Sequence, residues 1–303
     1  MQSLELINSG MCNTNSEFDF ELRISDSCNL NCSYCMWHCG VHYQYDDIVK
    51  CIGFIDEFSF GHYEKINIYL HGGEPTTHKD IIKILQNIKS LNIESTIELQ
   101  TNLTMDVVLL ADIIKYIDYL DVSLHYIELL NTNTKDTFDN NLLFLNKNNY
   151  NIHNMDIMLE DVGIDDEYYS YIKSILNMDI ITNSEMIYNY YGGLVLDYHQ
   201  DFYNEYNITE TKYRYNNSVV NTNDLYLMDL DFRGWNCKMF VTKMVINGNG
   251  DIHYCDTSMT LKSNALTNLI IDKNAMKKVN VLRKTGITCK WRRCVCFDSS
   301  RQL

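Results

Sequence analysis

The sequence predicts an α/β fold, a parallel sheet or barrel followed by a smaller cysteine-rich part. Three observations carry this. Through the first two thirds, stretches of alternating apolar residues give way repeatedly to stretches with helical apolar spacing. From residue 239 the pattern changes to two short strands around a glycine turn. The eleven cysteines fall in the first 51 residues and the last quarter, with none between Cys51 and Cys237.

The elements follow in order. Phe18, Phe20, Leu22 and Ile24 alternate with polar residues, which predicts a half-buried strand ending just before Cys28. Ile48, Ile52, Ile55 and Phe58 give a helix over 46–60, and Ile66, Ile68 and Leu70 a second strand. A helix is expected over 77–91, a strand over 95–100, a helix over 104–117 and a strand over 119–125. A helix over 137–148 then leads to a strand near 155–159, a helix at 165–176 and a strand at 185–191. Such βα repetition places function at the carboxyl ends of the strands. The Tyr-, Asn- and Asp-rich stretch 192–235 gives no pattern. Phe240–Ile246 and Asp251–Cys255 then read as a hairpin around Asn247-Gly248-Asn249-Gly250, followed by a helix near 272–284 and a cysteine-rich tail. The domain boundary is expected near 205–230: an N-terminal extension over 1–17, a core over 18–205 and a second unit over 206–303.

The chain has 303 residues, 46% hydrophobic and 21% charged, enough for a sizeable core. Its formal net charge of −15 argues against non-specific binding to nucleic acid or an anionic membrane, either of which needs a basic surface. No apolar run is long enough for a transmembrane helix and no signal peptide is visible, so a cytoplasmic location is expected. In a reducing compartment, clustered thiols point to metal or catalysis.

Cys28, Cys32 and Cys35 have the spacing C-x3-C-x2-C in the loop after the first strand. Three thiolates on one tight loop can hold three irons of a 4Fe–4S cube and leave the fourth open to chelate a small molecule. The alternative is structural zinc, with His38, Cys39 or His42 as the fourth ligand. His71-Gly72-Gly73-Glu74-Pro75 follows the next strand and contains the only proline of the chain. Its glycines permit close backbone approach to a ligand, and carbonyls with the Glu74 carboxylate could accept from an ammonium group.

Together these two motifs resemble the radical SAM superfamily. The resemblance implies a partial (β/α)6 TIM-type barrel. It also implies a 4Fe–4S cluster on Cys28, Cys32 and Cys35 whose open iron binds S-adenosylmethionine. Tyr34 would lie near the adenine, and Gly72, Gly73 and Glu74 near the amino group. Gln100-Thr101-Asn102 and Ser123-Leu124-His125, at the ends of the third and fourth strands, resemble stretches that contact the rest of the cofactor, so Gln100, Asn102, Ser123 and His125 are candidates. The implied reaction is reductive cleavage of S-adenosylmethionine to a 5′-deoxyadenosyl radical, which takes hydrogen from a substrate. That makes the chain an oxidoreductase-type enzyme served by a flavodoxin- or ferredoxin-type reductant.

Cys237, Gly250 and Cys255 match C-x(9–15)-G-x4-C and resemble the opening of SPASM and Twitch extensions. Cys289, Cys294 and Cys296 would complete one auxiliary 4Fe–4S cluster in a small α+β, Twitch-like domain, since the longer cysteine run of a full SPASM domain is missing. A four-cysteine zinc site is the alternative. Cys12 and Cys51 read as buried or incidental, and Cys39 as similar or close to the first cluster. Lys277, Lys278, Arg283, Lys284, Lys290, Arg292, Arg293 and Arg301 make the tail basic, a solvated face or a docking patch for an acidic partner.

Relatives with such extensions commonly modify peptides or proteins, and a peptide is the expected substrate. Small-molecule oxidation of a sugar- or nucleotide-like compound is the alternative, favoured by the short segment before the first strand. A zinc scaffold or plain electron carrier is the non-enzyme reading. Glu160, Asp161, His125, Tyr190 and Tyr191 are substrate acid–base candidates by position only.

Overall fold

Strand β2 (Glu17–Ser25) is the axis of the molecule, because the chain returns to pair with it on both sides. The computed structural model describes residues 4–6, 16–35, 40–158, 165–187, 212–215, 218–221, 232–237, 239–255 and 265–290. Cys12, His38, Cys39, Glu160, Asp161, Tyr190, Tyr191, Arg292, Arg293, Cys294, Cys296 and Arg301 lie outside the described residues.

A short β1 (Leu4–Leu6) precedes β2, and α1 (Tyr45–Ser59), β3 (Lys65–Gly72), α2 (Ile81–Lys89), β4 (Glu94–Thr101), α3 (Val107–Ile113) and β5 (Tyr119–Leu124) follow. Next come α4 (Tyr126–Asn131), α5 (Lys135–Lys147), β6 (Asn154–Met158), α6 (Asp166–Leu176) and β7 (Ser184–Ile187). Strands β2 to β7 pair in sequence order, all parallel, which is the expected six-fold βα repeat. Among the described residues no pairing closes the sheet, so it is an open, partial barrel. No helix among them is long and apolar enough to cross a membrane.

Period-2 alternation gives the sheet two unlike faces. Phe18, Phe20, Leu22, Ile24, Ile66, Ile68, Leu70, Ile97, Leu99, Leu120, Val122 and Leu124 are fully buried on the helix side. There Phe18 and Phe20 meet Phe58 of α1 edge-on, at 5.1 and 5.8 Å between centroids. The opposite face is polar. Glu21, Tyr69, Glu98 and Tyr119 stand in one register row, and Arg23, His71, Gln100 and Asp121 lie toward the carboxyl ends. Strand β2 was expected to be half-buried, yet Glu21, Arg23 and Ser25 are buried too. A central strand has no free edge and its inner face is enclosed by its neighbours.

The expected helix over 77–91 is a 3₁₀ turn at Pro75–Thr77 and then α2. The helix expected over 104–117 is shorter, since the Asp106 carboxylate caps it by accepting from the Val108 amide at 2.7 Å. Helix α4 was not expected; six residues are too few to show a period.

After β8 (Lys212–Tyr215), β9 (Ser218–Asn221) and β10 (Asn236–Cys237), the expected hairpin appears as β11 (Lys243–Asn247) and β12 (Asp251–His253). Strand β13 (Thr267–Asn268), helix α7 (Ala275–Thr285) and strand β14 (Ile287–Thr288) complete the described chain. The hairpin crosses the expected boundary: β11 pairs parallel with β2 over Lys243–Asn247, and β12 and β13 extend the sheet to nine strands. The Lys243 ammonium meets the Glu21 carboxylate across that seam.

Candidate active site

The loop after β2 carries Cys28, Cys32 and Cys35 at the carboxyl edge of the sheet. Its exit folds back on its entry, the Asp26 amide donating to the Val41 carbonyl at 2.8 Å. His42, considered as a fourth zinc ligand, is held by Ser25 Oγ at 3.0 Å and stands edge-on to His78. The hairpin turn also packs here. A Cβ on Gly248 would come within 2.8 Å of the Tyr43 side chain, and the Tyr43 hydroxyl donates to Asp26 at 2.9 Å.

Within the loop, the Leu30 amide donates to Cys28 Sγ at 3.4 Å and the Cys35 amide to the Cys32 carbonyl at 3.1 Å. Desolvation pushes the Cys28 thiol up to about 11 and the Cys32 thiol up to about 12. Each unligated thiol therefore keeps its proton at neutral pH, and a metal must displace it. The three sulfurs do not all lie within 4.8 Å of one another, since among the described residues only Glu98, Asp121 and His153 form such a group. A tetrahedral zinc site holds its sulfurs about 3.8 Å apart, from the 2.3 Å Zn–S bond. A cube gives each thiolate its own iron and spreads them wider. The donor set therefore fits the cube better than the single ion.

The Gly-Gly-Glu turn lies against the base of this loop. The Gly73 amide donates to the Ser25 carbonyl and the Glu74 amide to the Ser27 carbonyl, both at 2.8 Å. A Cβ on Gly72, at φ +138°, would meet Ser25 O at 2.1 Å, and one on Gly73 would meet Ser27 O at 2.3 Å. The close approach these glycines permit is thus first of all to the cysteine loop. Glu74, 1% exposed, is enclosed by the chain. Its Oε1 accepts from the Thr76 amide (3.1 Å), Thr76 Oγ1 (2.6 Å) and Thr101 Oγ1 (2.8 Å), and its Oε2 from the Asn102 amide (2.7 Å). The carboxylate brackets β3 to β4, which leaves main-chain carbonyls as the motif's acceptors for an ammonium group.

Asn102 continues the bracket. Its Nδ2 donates to Asn29 Oδ1 at 2.9 Å and faces Cys28 Sγ at 3.8 Å, while Asn29 Nδ2 donates to Thr104 Oγ1 at 2.7 Å. Asn141 of α5 holds the following turn by donating to the carbonyls of Leu103 and Met105. Sequence reasoning missed Asn29, Thr101, Thr104 and Asn141. Asn29, Thr101 and Thr104 are short polar residues at or after the ends of two strands, and Asn141 is a polar residue inside the apolar stripe of α5. Gln100 turns along the sheet instead, donating to Asp156 of β6 at 3.2 Å. Ser123 is buried in the next strand. His125, just past β5, stacks on Tyr34 with centroids 5.9 Å apart, its Nδ1 at 2.5 Å from the Tyr34 hydroxyl and 3.7 Å from Cys32 Sγ. Desolvation pulls its pKa down to about 4, so the ring is neutral. Below them, His153 Nδ1 pairs with Asp121 Oδ1 at 3.2 Å.

The second cysteine group is partly visible. Antiparallel β10 and β14 put Cys237 opposite Ile287, and the Cys289 amide donates to the Trp235 carbonyl at 2.8 Å. Lys290, next to Cys289, reaches over the ring of Tyr254, next to Cys255, at 4.8 Å. Cys51, by contrast, is buried in α1 and donates to the Asn247 carbonyl, the structural role expected of it.

A family model described as "Radical SAM superfamily" matches residues 22–175, just over half of the chain. No curated protein sequence matches. Among solved structures, Streptococcus suis SuiB bound to precursor peptide SuiA superposes with a TM-score of 0.60 at 15% identity, covering 95% of this chain and 67% of that one. Native anSMEcpe with bound AdoMet and Cp18Cys peptide gives 0.56 at 16% identity, covering 87% and 80%. At such identities these likenesses speak for the fold.

Proposed function

From the premise that the chain belongs to the radical SAM superfamily and is an enzyme, we propose that it cleaves S-adenosylmethionine reductively at Cys28, Cys32 and Cys35 to modify a peptide or protein. The observation that carries this is the loop itself: three spread thiols at the carboxyl edge of a parallel sheet, fastened by Asn102 and Glu74 and covered by Tyr34 and His125. The bound cluster would supply the electron that splits the sulfonium, and its cofactor the radical. Gly72, Gly73 and Glu74 set the height of the cysteine loop over the sheet. Tyr34, Asn102, Ser123 and His125 would line the space where the cofactor lies, offering hydrogen bonds without adding charge, while Gln100 serves the sheet.

Peptide as substrate is supported by the two superposed structures, each of which holds a bound peptide. Cys237, Cys255 and Cys289 are proposed, with Cys294 or Cys296, as ligands of one auxiliary cluster. A flavodoxin- or ferredoxin-type protein is the proposed reductant. The test is anaerobic reconstitution of the full chain. Two cubes require about eight irons per chain and formation of 5′-deoxyadenosine under reduction. Replacing Cys28, Cys32 and Cys35 by Ala should leave about four irons and no cleavage. Zinc in place of iron, or iron without cleavage, overturns the reading.

A further inference from the structure

His125, a candidate for contact with the cofactor, also touches the cysteine loop itself, at the Cys32 sulfur. His125 ends β5 and begins α4, its carbonyl accepting from the Leu129 amide at 2.9 Å, so its backbone is held from both sides. Its ring lies nearly parallel to Tyr34, 18° between planes, and its Nδ1 stands between the Tyr34 hydroxyl and the Cys32 sulfur. The Tyr34 hydroxyl and the Cys32 sulfur thus share one neighbour, Nδ1, at 2.5 and 3.7 Å. A thiolate only accepts, and Nδ1 lies 2.5 Å from Tyr34 Oη against 3.7 Å from the sulfur, so the shorter contact takes the Nδ1 proton. Nδ1–H donates to Tyr34 Oη, and Oη–H donates to the sulfur. Cys28 receives its own donors, the Leu30 amide and Asn102 Nδ2.

We propose that His125 is a positioning residue for the first cluster: by fixing the Tyr34 hydroxyl as a donor to Cys32 Sγ, it raises the reduction potential of the cluster which that thiolate ligates. Hydrogen bonds to ligand sulfur spread the charge added on reduction and so favour the reduced state. Because β5 and α4 hold the ring before any cofactor arrives, the donor needs no rearrangement when the cluster is built. This rests on the reading that Cys28, Cys32 and Cys35 hold the cluster, and the test separates the two.

The full chain is reconstituted anaerobically as wild type, His125→Leu, His125→Gln, Tyr34→Phe and the double variant His125→Leu/Tyr34→Phe. Iron is counted, and the potential is read from the electron paramagnetic resonance signal that shifts when S-adenosylmethionine is added. A wild type with no such signal sinks the cluster reading before His125 is tested. With that signal present, His125→Leu should lower the reduced-to-oxidised ratio about tenfold at fixed potential, 59 mV for a one-electron couple. Iron content should be unchanged. Tyr34→Phe should give the same shift, the double variant no more than either single one, and His125→Gln, which keeps a donor, should recover most of it. If His125→Leu loses iron, Tyr34→Phe decides alone. An unchanged potential in whichever variant keeps its iron overturns the proposal, as do shifts that simply add.

Discussion

Glu74 accepts four hydrogen bonds in a space closed to solvent, so the group there must accept without donating. Glu74→Gln puts an amide N–H₂ against at least one of those donors. The expected cost is about 1–3 kcal/mol in urea denaturation, with a cysteine loop that loads less iron. Gly73 is stricter still, because the atoms a methyl would meet are the Ser27 carbonyl and its carbon, which are backbone. Gly73→Ala should cost at least about 2 kcal/mol, by separating the two hydrogen-bonded pairs between Ser25–Ser27 and Gly73–Glu74. A denaturation midpoint equal to wild type would show that the loop slides freely over the turn. At this scale the sequence showed the motifs but not the hydrogen-bond partners of their side chains. Cysteine spacing and Gly-Gly-Glu are local patterns, whereas the partners of Glu74 come from residues 76, 101 and 102, and no spacing rule connects those strands.

At the scale of elements, the seam between β2 and β11 decides how the two parts of the chain are joined. Lys243 and Glu21 face each other there, both buried. Lys243→Met leaves the Glu21 carboxylate buried without its ammonium partner, with His71 Nε2 3.8 Å away, and should cost about 3–5 kcal/mol. Glu21→Met/Lys243→Met should recover most of that loss in the same denaturation assay; two independent costs that simply add would place the pair outside one shared seam. A second element-level device is Asp272, which accepts from Thr267 of β13 at 2.5 Å and Lys278 of α7 at 2.6 Å. The Lys278 hydrogen bond leads in holding its pKa down to about 2. A depressed carboxyl stabilises above its unfolded value, 3.8, and loses that contribution as pH falls toward 2. The stability gap between wild type and Asp272→Asn should therefore shrink as pH falls from about 5 toward about 2. A gap that stays constant would mean the interaction does not depend on charge. The elements themselves were legible wherever a run was long enough to show its period. The exceptions include the short strands β1, β8, β9, β13 and β14, the six-residue α4, and α3, whose start is set by an Asp106 cap.

For the whole molecule, the continuous nine-stranded sheet makes the expected boundary near 205–230 a boundary of sequence pattern rather than of hydrogen bonding. A chain ended before residue 230 should expose the β2 edge over Asp19–Arg23 and bare Glu21 of its lysine. Exposed central strands pair with one another, so that fragment should aggregate or melt well below the full chain. A soluble fragment with the full chain's melting temperature would show that the β11 seam adds nothing.

What the sequence determined by itself is what depends on neighbours along the chain: the βα alternation, the two cysteine groups, the glycine hairpin and the family likeness carried by C-x3-C-x2-C and Gly-Gly-Glu-Pro. Only the tertiary structure decided that the hairpin joins the core sheet, that Glu74 serves as a bracket, and that His125 reaches Cys32 from 93 residues away. The physical reason is one of range. Periodicity and turn chemistry are set within a few residues, while the partner of a buried polar group is whatever the packed sheet brings within about 3 Å of it.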